Sequence, residues 1–164
     1  MVNNRFGKVI VTMLAAVTIL MSCMIQPLVA KMRLYRGQTL YVPIYSHIYS
    51  GNREQPVYLA ATLSLRNTDR EHSITITAVD YYDSQGKLLN HYLEKPLVLG
   101  AMATQRYVVP ESDKSGGSGA KFIVVWQSDQ PVAEPLIESV MISTKTQQGI
   151  SFTSRGRVLD EILP

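Results

Sequence analysis

The residues with the most chemical potential lie in one short stretch, Asp113-Lys114-Ser115-Gly116-Gly117-Ser118-Gly119-Ala120. Gly116, Gly117 and Gly119 put three glycines into four positions, which costs conformational entropy on ordering. Such density is warranted where backbone must closely approach another segment or a ligand. Asp113, Ser115 and Ser118 add a carboxylate and two hydroxyls, a set suited to a polar or cationic group. Successive N–H groups in such a loop can also form an anion nest. However, the Gly-Lys-Ser/Thr ending of a phosphate cradle is missing. Gly116-Gly117-Ser118-Gly119-Ala120 also misses the G-x-S-x-G elbow of serine hydrolases at its last place, and no histidine follows His91 to act as base.

A second group is aromatic. Tyr41, Tyr45, His47 and Tyr49 alternate along the chain, so an extended backbone would put all four on one face. That face could stack on a ligand or a partner protein, or form the rim of the core. Metal and cofactor chemistry finds no support. His47, His72 and His91 are widely spaced, with no H-x-x-x-H or C-x-x-C pattern. Asp80 to Gly86 departs from a calcium loop because Tyr82 occupies a ligand position and the glycine comes one residue late. It reads instead as a hairpin turn. No metal site and no cofactor is expected.

Charge bears on partners. The chain of 164 residues has 16 basic and 13 acidic residues. Arg5, Lys8, Lys31, Arg33 and Arg36 all precede Gly37, with no acidic residue among them. From Gly37 onward 11 basic face 13 acidic residues, a balance of −2. The linear sequence therefore shows no basic patch of the kind nucleic acid requires, and no nucleic-acid partner is expected.

The first thirty residues read as a leader. Arg5 and Lys8 precede an apolar run, Val9 to Ile25, and Pro27 breaks any helix: the n-region and h-region of a secretory signal. Leu20-Met21-Ser22-Cys23 approaches a lipobox, which makes Cys23, the single cysteine, a lipidation candidate. Cleavage after Ala30 is a second reading and an uncleaved anchor a third. Contact with the membrane is expected only through this leader or a lipid on Cys23. After it the chain has no cysteine, and hence no disulfide.

The elements that must position the loop and the aromatics read as strands. Leu40 to Tyr45 is the first, with Pro43 implying an edge or a bulge. Val57 to Arg66 alternates cleanly, with Leu59, Ala61, Leu63 and Leu65 on one face. Ile74 to Tyr82, Leu88 to Leu93, Leu97 to Leu99, Thr104 to Val109, Phe122 to Gln127 and Ile137 to Ser143 follow, with Gly149 to Thr153 a further short candidate outside this count. Asn67-Thr68-Asp69 and Asp83-Ser84-Gln85-Gly86 are turns. Phe122 to Trp126 reads as a central strand buried on both sides, with Trp126 in the core. No helical period is sustained after the leader. Seven or eight short strands imply an all-β, antiparallel immunoglobulin-like sandwich.

At this point a family resemblance emerges. Tyr41 to Tyr49, Leu63 to Asp69, Asp80 to Asp83, Ser115 to Phe122, Val140 to Ile142 and Gln148 to Phe152 occur in order. Together they resemble a bacterial domain-of-unknown-function family, number three-one-two-four. Lys121 departs from it, standing where asparagine is expected. The resemblance implies an exported or envelope protein and carries over no activity.

The expected organisation is a leader at 1–30, a basic flank at 31–36, a sandwich domain at 37–158 and a tail at 159–164. The expected function is a non-enzymatic binding or interaction module of the bacterial envelope or periplasm, with an envelope protein or a small polar ligand as partner. Its binding residues would be Asp113, Ser115, Gly116, Gly117, Ser118 and Gly119, with Tyr45, His47 and Tyr49. One alternative is an enzyme with a dispersed site joining His47 to the loop. Another is a structural accessory domain of an envelope assembly.

Overall fold

The computed structural model describes residues 33–144 and 149–164, together with Gly7, Lys8 and Met13. The leader readings, Cys23 included, lie outside the described residues. Residues 33–164 belong to a compact unit separate from residues 1–32. Its described residues contain twelve strands and no helix. These are β1 (Leu34–Pro43), β2 (His47–Ser50), β3 (Gln55–Tyr58), β4 (Ala60–Arg66), β5 (Ile74–Tyr82) and β6 (Leu88–His91). They continue with β7 (Leu97–Leu99), β8 (Thr104–Val109), β9 (Lys121–Ala133), β10 (Leu136–Ser143), β11 (Ile150–Arg155) and β12 (Arg157–Ile162).

The strands form two main sheets with antiparallel pairing throughout. One runs β12-β1-β9-β5-β6, with β7 also on β5; the other runs β11-β10-β4-β8, and β2 pairs with β3 as a separate hairpin. Inward residues of both main sheets form one core. Val42, Val79, Phe122, Val124 and Trp126 come from the first sheet, and Ala61, Leu63, Leu65, Ile137 and Met141 from the second. The predicted face of the Val57–Arg66 segment is correct: Leu59, Leu63 and Leu65 are fully buried and Ala61 nearly so. Each such leucine contributes roughly 1.5–3 kcal/mol over the exposed state.

Twelve strands replace the expected seven or eight. The Val57–Arg66 segment is cut at Leu59, where the chain leaves the β2–β3 hairpin and enters the second sheet; Leu59 N–H donates to Ser46 O at 3.0 Å. β1 begins within the expected flank, because Leu34 and Tyr35 pair with Ala133 and Val132 of a longer β9. β12, expected to be domain end and tail, pairs with β1 across a bulge. Its charged and exposed residues hid the alternation. β9 is central but not buried on both sides: Phe122, Val124 and Trp126 point inward, while Ile123 and Val125 are only partly covered. Pro43 ends β1 beyond the last β12 pair, Tyr41–Arg157, so its missing N–H leaves no gap in that ladder.

Trp126 is a core residue, 1% exposed, and its indole N–H donates to Gln38 Oε1 at 3.2 Å. At the Asn67 turn, the buried side-chain amide donates to the carbonyls of His72 at 2.9 Å, Leu99 at 3.2 Å and Gly100 at 2.9 Å. Asp69 follows it and accepts the N–H groups of Glu71, His72 and Ala133. This turn ties three connections together. Among the described residues no helix is long and apolar enough to cross a membrane.

Candidate functional site

The Asp113–Ala120 segment joins β8 to β9 and lies against the Asp83–Gly86 turn between β5 and β6. Asp83 and Gly86 build that turn as expected: Asp83 Oδ1 accepts the N–H of Gln85 and of Lys87, and Gly86 takes φ +86°. Ser84 at its tip reaches the glycine loop. Its N–H donates to Gly116 O at 3.0 Å, its hydroxyl donates to the same oxygen at 2.9 Å, and the hydroxyl accepts Gly119 N–H at 2.9 Å. Lys121 Nζ donates to Asp83 O. On the other side, Ser46 N–H donates to Gly117 O and Ile44 N–H to Ala120 O, each at 3.0 Å.

The glycines therefore answer to neighbours within the fold. A Cβ on Gly116 would collide with the Tyr81 hydroxyl and lie 2.8 Å from both Tyr81 Cζ and Ala120 Cβ. Gly117 takes φ +77°, and a Cβ there would lie 2.6 Å from Ser84 Oγ. Gly116 thus answers to Tyr81, and Gly117 and Gly119 answer to Ser84. Tyr81 is buried, with its hydroxyl 3.3 Å from Ser46 Oγ. Burial pushes its phenol above the ordinary value; the Ser46 hydrogen bond opposes this, and the charge of nearby Asp113 adds to it. Burial likewise raises Tyr92, whose ring packs edge-on against Phe122 at 5.4 Å and Tyr107 at 5.4 Å. The phenols thus stay neutral at physiological pH.

Asp113 closes its own turn. Its Oδ1 accepts the N–H of Ser115 at 2.9 Å and the hydroxyl of Ser115 at 2.5 Å. Ser118 is partly covered.

The four alternating aromatics do not act as one face. Tyr41 stays within β1, between β12 and β9. Tyr45 sits after the end of β1 and packs edge-on against Phe152 of β11, with ring centres 5.7 Å apart. It belongs to the core rim. His47 and Tyr49 lie on the separate β2 strand. Their rings meet at 87° and 5.1 Å, and His47 Nε2 is 3.1 Å from Tyr49 Oη. His47 pairs in register with Tyr58 of β3, and those rings are 6.0 Å apart. Lys114 Nζ stands 4.2 Å from the centre of the Tyr58 ring. His47 Nδ1 is buried without a hydrogen-bond partner.

The structure thus joins part of the expected site, His47 and Tyr49, to the glycine loop through Tyr58 and Lys114. Sequence reasoning passed over both. Tyr58 lay on the polar face of an expected strand, and Lys114 lay inside the loop beside residues chosen for their oxygens. The register of a short hairpin is the only signal that would have paired Tyr58 with His47. Among the described residues no hydrogen bond joins His47 to Asp113, Ser115 or Ser118. None of their groups of three or more His, Cys, Asp and Glu side chains is placed to hold a metal ion.

The class these features define is an all-β domain carrying an aromatic and cationic group beside a glycine-rich loop. The chain belongs to the family described as Protein of unknown function (DUF3124), whose model matches residues 37–159. A similar solved chain is described as Crystal Structure of Thermotoga maritima 1070, at 9% identity and a TM-score of 0.39, over 73% of this chain and 92% of that one. Among curated proteins there is no match.

Proposed function

We propose that this chain is a non-enzymatic binding module of the bacterial envelope, exported by its leader and built as an immunoglobulin-like sandwich. One observation carries the binding reading: His47, Tyr49, Tyr58 and Lys114 converge from a hairpin outside the two main sheets and from the glycine loop. Tyr49 is 56% exposed. Exposed aromatics beside a cation are the residue types that anchor partner proteins and stack on polar ligands. The bonding of His47 to Tyr49, and of Asp113 to Ser115, supports a binding role over a dispersed catalytic one. Two facing antiparallel sheets over one core support the sandwich class.

The test is capture from envelope extract by the full chain, with a photo-crosslinker replacing the exposed Ser50 beside Tyr49. A single crosslinked species should appear, and it should vanish in Tyr58→Ala and in Lys114→Ala. Capture that persists in both variants sinks the reading. The export part is tested separately. Fractionation should place the protein outside the cytoplasm, and labelled fatty acid should enter wild type but not Cys23→Ala if the cysteine is the anchor.

A further inference from the structure

The outer face of the β11-β10-β4-β8 sheet brings together charges that are far apart in the chain. Ser64 of β4 pairs with Arg106 of β8 on one side and with Glu138 of β10 on the other, and Glu138 pairs with Arg155 of β11. One row across four strands therefore reads Arg106, Ser64, Glu138, Arg155. Arg66 lies one step along β4, in register with Thr104. Strand alternation leaves Arg66, Arg106 and Arg155 exposed on this face and Glu138 half-buried, while Ser64 between them is buried. Three arginines and one glutamate give this face +2, whereas the chain from Gly37 onward carries −2.

The face is shaped as well as charged. A shallow trough of about 700 Å³ is lined by Thr62, Ser64, Arg66, Thr104, Arg106 and Val140, with Gln105 at its side. Arg66 is held over it: its Nε–H donates to Ser64 Oγ at 3.0 Å, and one terminal nitrogen lies 3.8 Å from Glu138 Oε1. The second distance is that of a loose ion pair, which leaves most of the fork free. Among the described residues no hydrogen bond or ion pair engages the Arg106 guanidinium. Arg66 and Arg106 are diagonal neighbours on adjacent strands, a relation that sets residues about 7–8 Å apart with their Cβ atoms somewhat closer. Two long side chains at that spacing can close on one group between them. Unliganded, they repel each other.

We propose that this trough binds a phosphate group, with Arg66 and Arg106 as its two forks and the hydroxyls of Thr62 and Thr104 as further donors. A tetrahedral phosphate presents oxygens in more than one plane, so two guanidiniums can engage it from different sides, which a single planar carboxylate does not allow. The site is independent of the β2–β3 hairpin and the glycine loop.

The experiment is titration of inorganic phosphate into the isotope-labelled full chain, read by amide and arginine Nε shifts, with acetate in a parallel arm. Saturable shifts confined to Thr62, Ser64, Arg66, Thr104 and Arg106 are expected with phosphate. Arg66→Gln and Arg106→Gln should each weaken binding roughly tenfold, the loss of one charge-assisted contact, with unchanged thermal melts. Arg106→Lys should fall between wild type and Arg106→Gln, because charge remains while the fork is lost. Four results overturn the proposal: no saturable shift, shifts spread over other basic residues, equal binding in the double glutamine variant, or acetate binding as tightly as phosphate.

Discussion

Gly116 packs against the Tyr81 hydroxyl so closely that no side chain fits between them. The loop and the buried phenol are one structural unit, and this explains the first of the three glycines. Gly116→Ala should therefore destabilise the domain by about 1–3 kcal/mol through overpacking, read as a lower urea midpoint with unchanged m-value.

Ser84 binds the same loop from the neighbouring turn. Ser84→Ala removes one hydroxyl that both donates to Gly116 O and accepts from Gly119 N–H. The expected loss is about 1–3 kcal/mol. Hydrogen exchange should quicken at Gly119 before it quickens in β9.

Tyr49 behaves differently because it is exposed. Tyr49→Ala should change stability by less than about 0.5 kcal/mol, while removing the partner capture proposed above. A large fall in melting temperature would make the hairpin aromatics structural.

Acid sensitivity should centre on Asp69. The Glu71 N–H foremost, with those of His72 and Ala133, holds its carboxyl at about 2 against an ordinary 3.8, although burial pulls the other way. A carboxyl depressed on folding contributes stability that is present above its unfolded value and lost as pH falls through its folded value. Stability should therefore decline from about pH 4 toward pH 2. Asp69→Asn should flatten that decline, as measured by urea midpoints across the window.

Asn67 is the structural core of the same turn. Asn67→Ala leaves the His72, Leu99 and Gly100 carbonyls without their side-chain donor. A loss of about 2–4 kcal/mol is expected, measurable by chemical denaturation.

Much of the fold was legible because strand alternation is local. β5, β7 and β8 fall where the sequence predicts them, as do the buried face of β4, the Asp83–Gly86 turn and the core position of Trp126. The missed elements share a cause. β12 is specified by pairing with β1, and the start of β1 by pairing with β9, so their own residues carry little pattern. The division at Leu59 is a change of sheet, which a run of alternating residues does not signal.

For the candidate site the division is sharper. By itself the sequence determined that residues 113–120 form a glycine-rich connection entering a strong strand, that the domain is all-β, and, by resemblance, the family to which the chain belongs. Side-chain period and turn chemistry act over a few residues, and so they can be read along the chain. Only the tertiary structure decided that Gly116 answers to Tyr81, that Lys114 lies over Tyr58, and that Arg66, Arg106 and Arg155 share one face. Read linearly, those arginines looked scattered and no basic patch was visible. Strand register is set by the joint burial of two sheets, and it is this non-local constraint that brings residues tens of positions apart into one row.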